Sequence, residues 1–197
     1  MIRTLSAVIL IVYGSSAHAL SFTGFGGLNY AAPTDIRSGS EQHWTGDAAS
    51  IFGLSIDIPF AVGPFSFETG LFLKSSKSEH SVNGITGTTE NSWTDIPLLV
   101  HFHFDERISF GLGGYWSFLR KADAANPATS PDSGLILDLR ARIPFSECFS
   151  IVIDGRYVHG LNNLATTAGN TLNTRSIEAL IGVAYDLDFA PVPNHQK

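Results

Sequence analysis

His101 and His103 are the first residues of this chain whose type and spacing suit chemistry. In an extended strand, positions i and i+2 share a face, so the two imidazoles can approach one ion. No third ligand stands at a fixed spacing from them, so a hydrogen-bonded pair without a metal is expected. A second set is ionic: Asp57, Glu68, Asp95, Asp138, Arg140, Arg142, Asp154, Arg156 and Glu178. Each falls on the polar side of a segment that alternates apolar and polar residues. The lone Cys148 can form no internal disulfide, and the chain has no CxxC or Cys/His cluster for structural zinc. No nucleophile–base pairing is legible, so no catalytic residue, cofactor site or metal site is expected.

The elements that must position these charges are strands. Phe149, Ile151, Ile153 and Tyr157 alternate with Ser150, Val152, Asp154 and Arg156, and from Ile177 to Phe189 the odd positions are apolar or aromatic. Six further segments repeat the pattern: Ser21 to Tyr30, Ile51 to Phe60, Phe65 to Lys74, Asp95 to Phe104, Arg107 to Phe118 and Leu135 to Phe145. Successive side chains of a strand point to opposite faces, so each segment has one face free of charge. Long polar stretches near 31–49, 75–93, 120–133 and 160–174 take turns with short ones at 61–64, 105–107 and 146–148.

Counting across the short turns predicts contacts. If Phe145 pairs with Phe149, Arg140 faces Asp154 and Asp138 faces Arg156. The same counting over residues 61–64 sets Asp57 beside Glu68, a like-charge pair that needs a cation. Arg140, Arg142 and Arg156, roughly across a closed barrel, are placed to supply it. The bland reading of this set is a salt-bridged plug; the functional one is an ion or proton path. The plug is preferred, because eight strands leave a lumen that side chains can fill.

Charged residues make up 15% of the chain, against roughly a quarter in soluble proteins. Yet no run reaches the ~18 consecutive apolar residues of a spanning helix. Strands of about ten residues match the ~9 to 11 needed to cross hydrocarbon, and they must close, since lipid offers no partner to an open edge. Tyr30, Phe60, Phe65, Phe104, Trp116, Phe145, Phe149, Tyr157 and Phe189 lie at segment ends, where an aromatic girdle would meet the two water–lipid boundaries. The net charge of −6 and the lack of a basic patch exclude nucleic acid as a partner.

The start of the chain reads as a targeting segment. Arg3 precedes the apolar run Ala7 to Tyr13, and Ala17-His18-Ala19 is a small-x-small cleavage site. The expected organisation is a cleaved signal peptide at 1–19, an outer-membrane β-barrel at 20–189 and a periplasmic tail at 190–197. The expected fold is an all-β, eight-stranded antiparallel up-and-down transmembrane barrel, with both termini in the periplasm because short turns face that side.

Some motifs resemble a family. Arg156-Tyr157-x-x-Gly160-Leu161-x-Asn163, Asn173-x-Arg175-Ser176-Ile177 and Gly182-x-x-Tyr185-x-Leu187 look like the closing hairpin of the PorT-like outer-membrane β-barrels. Asp95-Ile96-Pro97-Leu98-Leu99 resembles that family's mid-barrel strand. The resemblance implies the architecture over 20–189 and the outer-membrane assembly machinery as a partner during insertion. It carries no role, since PorT's implied part in secretion does not transfer.

The expected function is a non-enzymatic integral barrel in outer-membrane lipid, structural or presenting four long loops to an extracellular partner. His43, Trp44 and Trp93 are the bulky loop candidates for that contact. The alternatives are a narrow pore or secretion component, a lipid-modifying enzyme, and a soluble lipocalin-like binder. The enzyme reading rests on His159, yet the serine that a lipid A deacylase keeps two residues on is replaced by Leu161.

Overall fold

The computed structural model describes residues 20–31, 34–37, 40–43, 45–82, 85–121, 131–164 and 171–187. Among the described residues there are eleven strands: β1 Leu20–Ala31, β2 Thr34–Arg37, β3 Ser40–His43, β4 Thr45–Pro59, β5 Phe65–Val82, β6 Ile85–His103, β7 Ile108–Lys121, β8 Asp132–Pro144, β9 Phe149–Gly160, β10 Thr171–Asn173 and β11 Arg175–Leu187. Eight of them close an antiparallel barrel in the order β1-β11-β9-β8-β7-β6-β5-β4, and β10, β2 and β3 form a small separate sheet. The seam pairs the last barrel strand with the first, from Leu20↔Leu187 to Ala31↔Ser176. The signal segment, Phe189 and the C-terminal tail lie outside the described residues.

Alternation becomes a wall with its polarity inverted. Leu54, Leu139, Ile153, Ile177 and Ile181 face outward and are exposed, whereas Glu68, Asp138, Asp154 and Arg156 are enclosed. In water this arrangement would waste every apolar contact and strand every charge; in hydrocarbon it satisfies both. It is the reverse of a soluble ligand-binding barrel, whose apolar face turns inward. Tyr30, Phe60, Phe65, Phe104, Trp116, Phe145, Phe149 and Tyr157 all stand on the exposed side. Phe145 stacks on Phe149 at 6.1 Å across the short turn, and Phe149 meets Tyr185 at 5.1 Å.

The interior is less polar than alternation predicts. Phe25, Ile51, Phe72, Val152, Leu180 and Ala184 form one buried apolar cluster, and Leu99, Tyr115, Ile136 and Val158 form another. Glycine makes room for the rings. Gly53 pairs with both Phe25 and Phe72, and a Cβ at Gly53 would lie 2.2 Å from the Phe72 ring. Phe25 also pairs with Gly182, where a Cβ would lie 2.7 Å from its ring.

The long polar stretches depart from the expected loops. The β5–β6 ladder continues from Ser75↔Ser92 to Val82↔Ile85, so most of the stretch 75–93 is paired strand. β4 begins at Thr45, well before Ile51, and its register shifts between Asp47 and Ile51. Parts of the first and fourth stretches pair with each other as Thr34↔Asn173 to Ile36↔Thr171. Ser, Thr and Asn strands outside the lipid have water on both faces, so they show no apolar alternation by which to recognise them.

Candidate functional site

From the short-turn end, the inward positions of β8 run Arg142, Arg140, Asp138, Ile136, Gly134, Asp132, and those of β9 run Ser150, Val152, Asp154, Arg156, Val158, Gly160. Their register sets Arg140 opposite Asp154 and Asp138 opposite Arg156, while β4 and β5 set Asp57 opposite Glu68. One barrel cross-section thereby gathers four carboxylates and two guanidiniums.

Arg140 is the hub. Its Nη2 donates to Asp154 Oδ2 at 2.8 Å, bridges Glu68 Oε2 and lies 3.7 Å from Asp138 Oδ2; its Nη1 is 3.6 Å from Asp57 Oδ2. Arg156 donates through Nη2 to Glu68 Oε1 at 2.8 Å and to Asp154 Oδ2 at 2.9 Å, with Nε 3.2 Å from Asp138 Oδ2. The Arg156 guanidinium lies 4.6 Å from the Phe72 ring centroid and 5.7 Å from that of Phe25, and Arg140 lies 5.6 Å from Phe25. A weakly hydrated planar cation tolerates this sandwich of rings and carboxylates better than an ammonium would.

His101 projects into the same layer and is wholly enclosed, 3.6 Å from Glu68 Oε2 and 3.7 Å from Asp138 Oδ1. His103, two residues nearer the short turn, shares a 2.8 Å hydrogen bond with the Ser66 hydroxyl. The two imidazole centroids are 6.4 Å apart, so the rings do not converge on one point.

The remaining members of the expected set lie elsewhere in the lumen. Asp95 and Glu178 meet Lys74, at 2.5 Å and 3.3 Å from its Nζ. Ser117 donates to Asp95 in the same layer, Tyr115 donates to Asp132 at 2.8 Å, and Lys74 lies 5.5 Å from the Tyr115 ring centroid. Arg142 does not reach the Asp57–Glu68 pair; its Nη2 is 2.5 Å from Asp186 Oδ1 and 3.1 Å from the Ser21 hydroxyl. Lys74, Asp132 and Asp186 were absent from the expected network. Lys74 shares strand parity with Glu68 and Phe72, a signal that could have found it.

Two loop expectations change. Trp93 is buried inside the barrel, because β6 runs through it in register with the inward Asp95, Leu99 and His101. Trp44 and the His43 side chain lie outside the described residues. At the short β6–β7 turn, the Asp105 carboxylate accepts from the N–H groups of Arg107 and Ile108, both at 2.7 Å. These bonds hold its pKa below the usual carboxylate range.

The closed wall, inverted polarity and filled lumen define an eight-stranded antiparallel β-barrel of the outer-membrane class. No family model matches the chain, and no curated protein is significantly similar to it. Solved structures are similar in fold. The outer membrane protein AlkL in lipid bilayers superposes with a TM-score of 0.53 at 13% identity, over 87% of this chain and 92% of that one. Neisserial surface protein A gives 0.52 at 12% identity, over 88% and 100%. The N-terminal barrel domain of Pseudomonas aeruginosa OprF gives 0.51 at 11% identity, over 87% and 100%. At such identities the likeness establishes the architecture alone.

Proposed function

We propose that this chain is a non-enzymatic integral protein of the outer membrane, with a closed lumen and a surface that it presents to an extracellular partner. The observation that carries this reading is the lumen's filling. Charged groups at Arg140–Arg156 and at Lys74 share it with the Phe25–Phe72 and Leu99–Tyr115 clusters. Such a filling leaves little room for a water column. Meanwhile β5 and β6, at 18 and 19 residues, run well beyond the ~9 to 11 that cross hydrocarbon. Their projecting hairpin and the β10-β2-β3 sheet offer shaped backbone outside the lipid, at the end away from the short turns. Both termini are periplasmic in this reading, on the side of those turns. Outer-membrane lipid surrounds the barrel, and the assembly machinery inserts it. The PorT-like kinship rests on the motifs of the β9–β11 hairpin and adds no role of its own.

Planar-bilayer recording of the folded protein tests the reading: no steady open conductance is expected, and a stable open level would replace the plug by a narrow pore. Lipid A composition should be the same in deletion and overexpression strains. A mass change would instead support a lipid-modifying enzyme.

A further inference from the structure

The central lumen layer is short of positive charge. Asp57, Glu68, Asp138 and Asp154 pair directly with Arg140 and Arg156, a formal excess of two negative charges when all four carboxylates are ionised. Removing charge from water costs several kcal/mol per ion unless it is compensated. His101 is the second anomaly. It is fully buried, and neither ring nitrogen has a hydrogen-bond partner; its nearest carboxylate oxygens stand at 3.6 and 3.7 Å. A buried imidazole with two unused nitrogens is costly in a folded protein.

The geometry points to one group that answers both: we propose that Asp57, Glu68 and His101 bind a divalent transition-metal ion of the zinc class. One ligand atom from each lies within 4.8 Å of the others, although the three residues come from β4, β5 and β6. Donors bonded to one zinc at ~2.0 to 2.2 Å lie about 3.4 Å apart when tetrahedral, so the side chains must close by roughly one ångström. Nitrogen with two carboxylates favours zinc-like ions over magnesium or calcium, which take oxygen alone. The ion's two charges match the excess.

Arg140 makes room for the ion. It now spans Asp57 and Glu68, yet it also holds Asp154 at 2.8 Å and lies 3.7 Å from Asp138. The ion takes the first pair of carboxylates and Arg140 keeps the second. Entry is from the short-turn end, where Asp57 lies two residues before the end of β4 and its side chain is 15% exposed. This site differs from the His101–His103 pair considered from sequence, because its other ligands come from neighbouring strands.

The test is Zn2+ binding to the metal-free, detergent-folded mature chain, by calorimetry and zinc-edge X-ray absorption. One ion per chain is expected, with a shell of a single imidazole nitrogen and oxygens. Asp57→Asn and His101→Gln should each weaken binding by at least about tenfold, a loss that even an outer-shell change can cause. Retained affinity in both variants, or no uptake by the wild type, overturns the site; the latter would mean that protons neutralise the layer. Asp57→Asn is the milder change, and a heat-shifted gel band checks that it folds. If neither variant folds, the wild-type spectrum decides: a shell with no imidazole, or with two or more, overturns the proposal.

Discussion

Glu68 is wholly enclosed, accepts a hydrogen bond from Arg156 and forms an ion pair with Arg140. Glu68→Ala removes the carboxylate that both guanidiniums pair with, and breaking a buried pair costs about 3–5 kcal/mol. Urea unfolding of the folded protein in lipid should show a loss of that size; a change below about 1 kcal/mol would mean that water enters the layer and screens it. Asp105 makes the opposite kind of contribution, exposed and local. Its folded pKa is depressed by two backbone N–H donors, so its stabilisation is complete above the ordinary carboxylate pKa of about 3.9 and vanishes as pH falls through the lower folded value. Asp105→Ala should therefore unfold more easily than wild type at pH 7 and match it in strong acid. A gap that persists in strong acid would show that the turn uses Asp105 for something other than its charge.

At the scale of the strand, facing decides what a substitution costs. Leu137 and Leu139 point outward from β8 and Asp138 points in, so adjacent residues meet opposite solvents. An arginine at Leu137, within the apolar band, should cost about 2–4 kcal/mol, while one at Leu161, just past the end of β9, should cost about 0–1. Equal costs in unfolding titrations would contradict the placement of the lipid band. Strand neighbours matter as much as strand faces. Gly53→Ala drives a methyl into the Phe72 ring and should destabilise by about 1–3 kcal/mol, and Phe72→Leu in the same chain should recover part of the loss. The faces were legible from alternation alone. The glycine–aromatic contacts were not, because Gly53 and Phe72 are partners only through the β4–β5 register.

At the scale of the molecule, closure turns a set of amphipathic ribbons into a barrel whose charges are enclosed. With Arg156 seated on Phe72 and bonded to Glu68 and Asp154, this lumen layer is held by ion pairs and rings together. Replacing both Arg156 and Phe72 by alanine should open this layer and yield a measurable single-channel current in a barrel that still shows its heat shift. A silent double variant would place the barrier at the Lys74 layer instead.

The one-dimensional chain determined its strands, their lipid-facing side and three of their cross-strand charge pairings. Side chains alternate with a period of two, and a short turn leaves one register that pairs Arg140 with Asp154, Asp138 with Arg156 and Asp57 with Glu68. Polar strands beyond the lipid were hidden, since water on both faces removes the periodicity that marks a strand. Only the tertiary structure decided the partners of Lys74, Arg142 and Asp186 and the exact contacts of each layer. Closing the barrel brings β4 to β6 across from β8 and β9, joins Lys74 to Glu178 over 104 residues, and sends Arg142 to Asp186. Those meetings depend on the curvature and stagger of a closed sheet, which no local pattern encodes.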